Sequence, residues 1–221
     1  MATKMCFFVN NANVFEEKII SFTYIKGMAF SQKQKNVLSF HHSIQEQYPN
    51  SKILEISTKS NNDLGVKLSA FNLKLDNCFV ESIFQSSKVF EDGTQYEFLK
   101  NLPPREAKQH LSENTNGVLK CFKYANKEFP LNPPSLFYDY IYINALIQVP
   151  NVSNKILHYD IFTDIEFNEK KQINCQARAC AIYSYMLRTN SVNYYLSSLE
   201  NFKKLYIKAA PPKQISMFDL L

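Results

Sequence analysis

Residues 64–91 read LGVKLSAFNLKLDNCFVESIFQSSKVFE, and this stretch decides the fold of the chain. Its first part is loop-like and turns near Asp76-Asn77, a pair that favours tight turns. Its second part predicts a helix over 80–90. At near four-residue spacing, Glu81, Gln85 and Lys88 fall on one stripe of that helix. Val80, Ile83 and Phe84 fall on the adjoining stripe and read as core. A carboxylate, an amide and an amine beside an apolar seam can floor a pocket. The same stripe can also be a solvated face.

Outward from it, residues 5–9 and 14–25 read as strands, and 31–48 as a helix with Ser31 as a candidate cap. A short strand follows at 52–57. Further helices are expected at 94–100, 104–112 and 135–148, the last capped by Ser135 after Asn132-Pro133-Pro134. Residues 118–124 fit strand or helix. A helix over 174–189 carries the small residues Ala177, Ala179 and Ala181, and a final helix covers 192–207. Tyr138, Tyr140 and Tyr142 alternate, so one helix face cannot bury all three.

Composition bounds the function classes. The 221 residues suit one domain, and 45% hydrophobic with 14% aromatic residues allow a sizeable core. Four Gly and nine Pro are too few for a disordered or repetitive chain. A net charge of +5 is compatible with a nucleic-acid partner without requiring one. The five Cys (6, 78, 121, 175 and 180) form no Cys-x-x-Cys pair, which reads as reduced thiols. No leader and no membrane-length apolar run stand out, so the expected setting is cytoplasmic, with no membrane partner. No metal and no cofactor are expected. His41 and His42 are adjacent and point to different helix sides, against a shared metal. Lys33 and Lys35 can touch phosphate or form a solvated face.

The quoted block resembles the signature of the NADAR family of ADP-ribose-linked N-glycoside hydrolases. That family has a G-x-L-S-N-F-type loop, matched by Gly65, Leu68, Ser69, Phe71 and Asn72. Its helix, V-E-H-x-F-Q-x-x-K-F, is matched by Val80, Glu81, Phe84, Gln85, Lys88 and Phe90. Pro103-Pro104-Arg105-Glu106-Ala107-Lys108 is similar to the family's T-P-x-E-A-K step. FYDYIYINALIQ (137–148) sits where the family has a long helix. YDIFTDIEFNEKKQINCQARACAIYSYML (159–187) resembles its closing stretch, with Asn174 on the family Asn. The resemblance covers residues 64–190. Ser82 stands in place of the family His, the family Trp-Gly is missing, and the chain has no Trp. Blocks 22–36, 53–60 and 162–179 look most like the NADAR antitoxins paired with DarT-type DNA ADP-ribosyltransferase toxins.

The resemblance implies an α+β, mainly helical single domain of NADAR type with a small N-terminal β element. Residues 1–60 would be a β/helix extension packed on the core, 61–208 the catalytic core, and 209–221 a tail peptide. It implies an antitoxin that removes ADP-ribose from guanine bases of DNA, with the toxin as functional partner. Two other readings stand: an N-glycosidase of a small nucleotide-like metabolite, and a non-enzymatic antitoxin that docks on its toxin.

N-glycoside cleavage passes through an oxocarbenium-like state. It wants a carboxylate near the developing charge and a proton for the leaving nitrogen. A lysine can instead attack C1″ and pass through a Schiff base. Glu81 is the expected acid/base or electrostatic group, and Lys88 the nucleophile or electrophilic partner. They lie roughly 10 Å apart along the predicted helix. Asp164 is a third catalytic candidate, and Asp160 and Glu166 compete with it for the ribose hydroxyls. The side chains of Glu81 and Lys88 can converge over Gln85 if a substrate fills the gap. Ser69 and Asn72 can bind pyrophosphate or ribose, and Phe71 can stack on a base; turn chemistry and core packing are the alternatives. Asn174 and Gln176, at a helix start beside Arg178, suit a pyrophosphate or a cap.

The chain closes QISMFDLL (214–221) behind Pro211-Pro212. It resembles the peptide that binds the bacterial sliding clamp, with Gln214, Met217 and Phe218 as anchors. The alternative is that this apolar end docks on its own domain.

Overall fold

The computed structural model describes residues 1–9, 15–115, 117–170 and 172–206. In chain order the elements are β1 (Ala2–Val9), β2 (Phe15–Phe22), α1 (Phe30–Gln47), β3 (Ile53–Glu55) and α2 (Asp63–Lys67). Next come β4 (Lys74–Leu75), β5 (Cys78–Phe79), α3 (Val80–Ser86), β6 (Lys88–Phe90), a 3₁₀ turn (Glu97–Asn101) and α4 (Pro104–Asn114). Then follow β7 (Leu119–Tyr124), β8 (Lys127–Phe129), α5 (Leu136–Gln148), α6 (Pro150–Ser153), a 3₁₀ turn (Asn154–His158) and β9 (Ile161–Thr163). The described chain closes with α7 (Gln176–Arg188), α8 (Val192–Leu196), α9 (Leu199–Lys203) and a 3₁₀ turn (Lys204–Tyr206). The class is α+β and mainly helical, as the resemblance implies.

The main sheet has the order β2-β1-β9-β3, with β3 and β9 parallel. Alternation sends Phe7, Val9, Leu54 and Phe162 toward α5 and α7, and Cys6, Phe8 and Ile161 toward Val37, Phe40 and Ile44 of α1. The sheet is therefore sandwiched, and β1 is buried on both faces along its second half. Residues 1–60, expected as an extension, supply three of its four strands, and β9 runs between two of them.

Helix α5 is buried nearly all round, with Tyr138 and Tyr142 on one side and half-buried Tyr140 against Phe129 and Phe202. Residues 118–124 resolve as strand β7. The expected helix over 192–207 breaks at Ser197-Ser198. There the Ser198 hydroxyl accepts from the Asn201 amide at 3.1 Å and starts α9. Ser31 and Ser135 do not cap through their side chains. Among the described residues no helix is long and apolar enough to cross a membrane.

The decisive stretch folds around close contacts. A Cβ on Gly65 would lie 1.9 Å from the Glu55 carbonyl oxygen, so only glycine lets α2 approach β3. The Tyr142 hydroxyl donates to the Leu68 carbonyl at 2.6 Å, and the Glu81 amide donates to the Ala70 carbonyl at 3.1 Å. Asp76 and Asn77 both take positive φ (49° and 65°) in the turn between β4 and β5.

One correction concerns α3, which ends at Ser86 rather than running to Phe90. The Ser86 and Ser87 hydroxyls both donate back to the Ile83 carbonyl, at 3.0 and 2.8 Å. The next residues then leave the helix as strand β6, and Lys88 pairs with Phe122.

Candidate active site

A cleft of about 630 Å³ opens where α3, β6, α5 and the loop after β9 meet. Its floor is the row that the helical stripe anticipates, built differently. Gln85 Nε2 donates to Glu81 Oε1 at 2.8 Å, and Lys88 Nζ donates to Gln85 Oε1 at 2.8 Å. Lys88 reaches the row from a strand, with its ammonium 4.9 Å from the Phe84 ring centroid. Because the first two groups lie one helical turn apart and the third follows the turn out of the helix, the three converge on one side.

Phe71, Phe84, Phe122 and Tyr138 supply the apolar wall. Asp164, Glu166 and Phe167 from the loop after β9, Asn174 and Gln176 near the head of α7, and Lys108 of α4 complete the lining. Gln176 accepts from the Ala70 amide at 2.8 Å, which ties the loop before α3 to the head of α7.

Burial pushes Lys88 below the ordinary lysine range, helped by the Lys108 cation and opposed by the Glu81 carboxylate. Asp164 is pushed up to about 8, first by burial and then by the Glu55 carboxylate. Lys4, Gln176 and the Glu166 amide only partly offset this. Tyr138 is held well above its ordinary range by burial and by the two acids, Glu81 and Asp164, that face it.

Of the sequence candidates, Glu81, Gln85, Lys88, Phe71, Asp164, Glu166, Asn174 and Gln176 line this cleft. Four do not. Asn72 is turn chemistry, its amide donating to the Val66 carbonyl at 2.8 Å. Ser69 is fully buried, with its hydroxyl unpartnered and away from the cleft. Asp160 accepts from the Lys52 amide at 3.0 Å and ties the loop before β3 to the start of β9. Arg178 is not among the cleft-lining residues; its Nε pairs with Glu17 at 2.9 Å and its Nη1 with Asp139. The tail anchors Gln214, Met217 and Phe218 lie outside the described residues.

Sequence reasoning missed Lys108 and Tyr138, which line the cleft, and Glu55, the buried carboxylate next to Asp164. Lys108 was visible in the Pro-Pro-Arg-Glu-Ala-Lys step. Glu55 was visible as one charge inside the apolar strand KILEIS, where a carboxylate needs a reason. Among the described residues no group of three His, Cys, Asp or Glu could hold a metal ion. The His41 ring is held near Thr163 at 2.8 Å and His42 is exposed beside Glu46, so the pair does divide between helix sides.

No curated protein matches the chain. A family model described as the DarT1-associated NADAR antitoxin matches residues 2–215. With nearly its whole length matched, the chain belongs to the NADAR family, in its group of DarT1-associated antitoxins.

Proposed function

We propose that this antitoxin is a DNA glycohydrolase that frees guanine bases from ADP-ribose by cleaving the N-glycosidic bond. The DarT-type toxin would be its functional counterpart. The observation that carries the reading is the hydrogen-bonded row Glu81–Gln85–Lys88 lining, together with Asp164, one cleft of about 630 Å³.

Burial favours the neutral amine of Lys88, the form that can attack. Its lone pair forms a bond to C1″ as the C1″–N bond breaks. That electron pair leaves with the guanine nitrogen, which takes up the proton that the newly alkylated, cationic amine sheds. Opening of the ribose ring gives a Schiff base, and water added across it returns the amine and releases ADP-ribose. Glu81, one amide away, stabilises the cationic sugar and activates the water. Phe71 and Tyr138 offer faces for a base, and Lys108 a charge for a phosphate.

The test is a guanine-ADP-ribosylated oligonucleotide incubated with the parent, Glu81→Ala and Lys88→Ala. The parent should release ADP-ribose, and each variant should lose about 10²–10⁴-fold in rate. Borohydride should trap the parent on the sugar and leave Lys88→Ala untrapped. Binding of the modified DNA without release would favour a docking antitoxin. Neither binding nor release would favour a small-molecule N-glycoside.

A further inference from the structure

Behind the cleft, Glu55 sits at the end of β3 with only 2% of its surface exposed. In the parallel register it faces Thr163, so its side chain lies on the α1 side of the sheet, across from the cleft. Three donors converge on it. The Ser57 hydroxyl donates to Oε1 at 2.7 Å, the Thr163 hydroxyl to Oε2 at 2.7 Å, and the Ile165 amide to Oε1 at 2.8 Å. The Ile165 amide belongs to the peptide bond that leaves Asp164, so Glu55 grips the backbone of the cleft acid itself.

Asp164 is less well served. Its Oδ1 accepts from the Glu166 and Phe167 amides at the longer distances of 3.0 and 3.2 Å, with Gln176 beside it. Burial raises both carboxyls, Glu55 included, and two this buried cannot both be charged at modest cost. Glu55, with the shorter and better-distributed donors and Lys4 nearby, ionises first and holds the charge. The other charged and titratable groups around Asp164 come from several elements. Lys4 approaches from β1 and donates to the Phe167 carbonyl. Tyr138 and Tyr142 face it from α5, and the Cys175 thiol from the head of α7. Glu166 follows it in the chain, and His41 of α1 reaches Thr163 from behind at 2.8 Å.

We propose that Glu55 is a positioning residue: its buried charge keeps the proton on Asp164, so that Asp164 meets the substrate as a neutral hydrogen-bond donor. This rests on the glycohydrolase reading for its purpose. The neutral acid can donate to a ribose oxygen, and it adds no second negative charge to the cleft that Glu81 lines when an anionic ADP-ribose enters. Burial acting in the same direction supports the assignment.

The experiment is a carboxyl-¹³C titration of the full chain, with the Asp164 signal assigned by its absence in Asp164→Asn. The parent should titrate near 8 at this carbon. Glu55→Gln removes the buried charge and should lower the midpoint by about one unit or more. Thr163→Val, a smaller change that removes one donor from Glu55, should lower it in the same direction. A parent midpoint in the ordinary carboxylate range overturns the proposal, as does a midpoint unmoved by both variants. Oligonucleotide cleavage is followed separately against pH. In Glu55→Gln the high-pH limb of the rate should move down with the titration. No cleavage by any of the proteins, with the titration as stated, would remove the glycohydrolase reading and leave the proton on Asp164.

Discussion

Asp139 of α5 and Asp164 of the loop after β9 are both buried acids near the head of α7, and they differ in the sign of the charge nearest to them. Asp139 is fully enclosed, takes the Arg178 guanidinium and the Tyr206 hydroxyl (2.6 Å), and is pushed only to about 6. Asp164 has a second carboxylate behind it, opens onto the cleft, and is pushed to about 8. Burial raises both acids, and the neighbouring charge sets how far. An acid paired with arginine becomes a structural joint between α5, α7 and β2. An acid backed by another acid becomes a group that changes charge near neutral pH.

The largest effect that would break this contrast is at the joint. Arg178→Ala strands the Asp139 carboxylate and should cost about 3–5 kcal/mol in urea unfolding at neutral pH. A loss under 1 kcal/mol would mean the pair is not a joint. Next is Gly65→Ala, which drives a methyl group onto the Glu55 carbonyl. It should cost about 1–3 kcal/mol by thermal or urea unfolding and disturb the carboxylate behind Asp164. An unchanged unfolding midpoint would show that α2 moves freely against β3.

The smallest effect is a slope. Both acids have native values above their unfolded ones, so the folded state holds the extra protons. Each contributes stability that is full below about pH 4 and is lost as pH rises, through about 6 for Asp139 and about 8 for Asp164. Asp164→Asn should flatten the stability profile between these limits by at most about 1.4 kcal/mol per pH unit, and the flattening should extend above pH 6. Asp139→Asn should flatten it only below that point. Identical profiles for the two variants would erase the distinction.

How much of this was legible depended on sequence distance. The turn at Asp76-Asn77, the apolar face of α3 and the helix of residues 176–188 follow from local spacing. The exit from α3 at Ser87 does not, because Lys88-Val89-Phe90 keeps a helix-compatible pattern. Its pairing partner in β7 lies about thirty residues on, which no local period reports. The row Glu81–Gln85–Lys88 survives that error because a strand leaving the last turn lets the lysine reach back over the same face. Arg178 was legible as a cation near a helix start, but its neutraliser Asp139 belongs to another helix. Glu55 carried one visible sign, a charge in an apolar strand, and the group it acts on is over a hundred residues away.

Gln85 has a consequence of its own. An amide neither gains nor loses a proton in water's ordinary range, yet it offers a donor at one end and an acceptor at the other. Set between Glu81 and Lys88, it acts as an insulating spacer. It transmits direction and carries no charge, so the carboxylate and the amine stay aimed and do not annul each other.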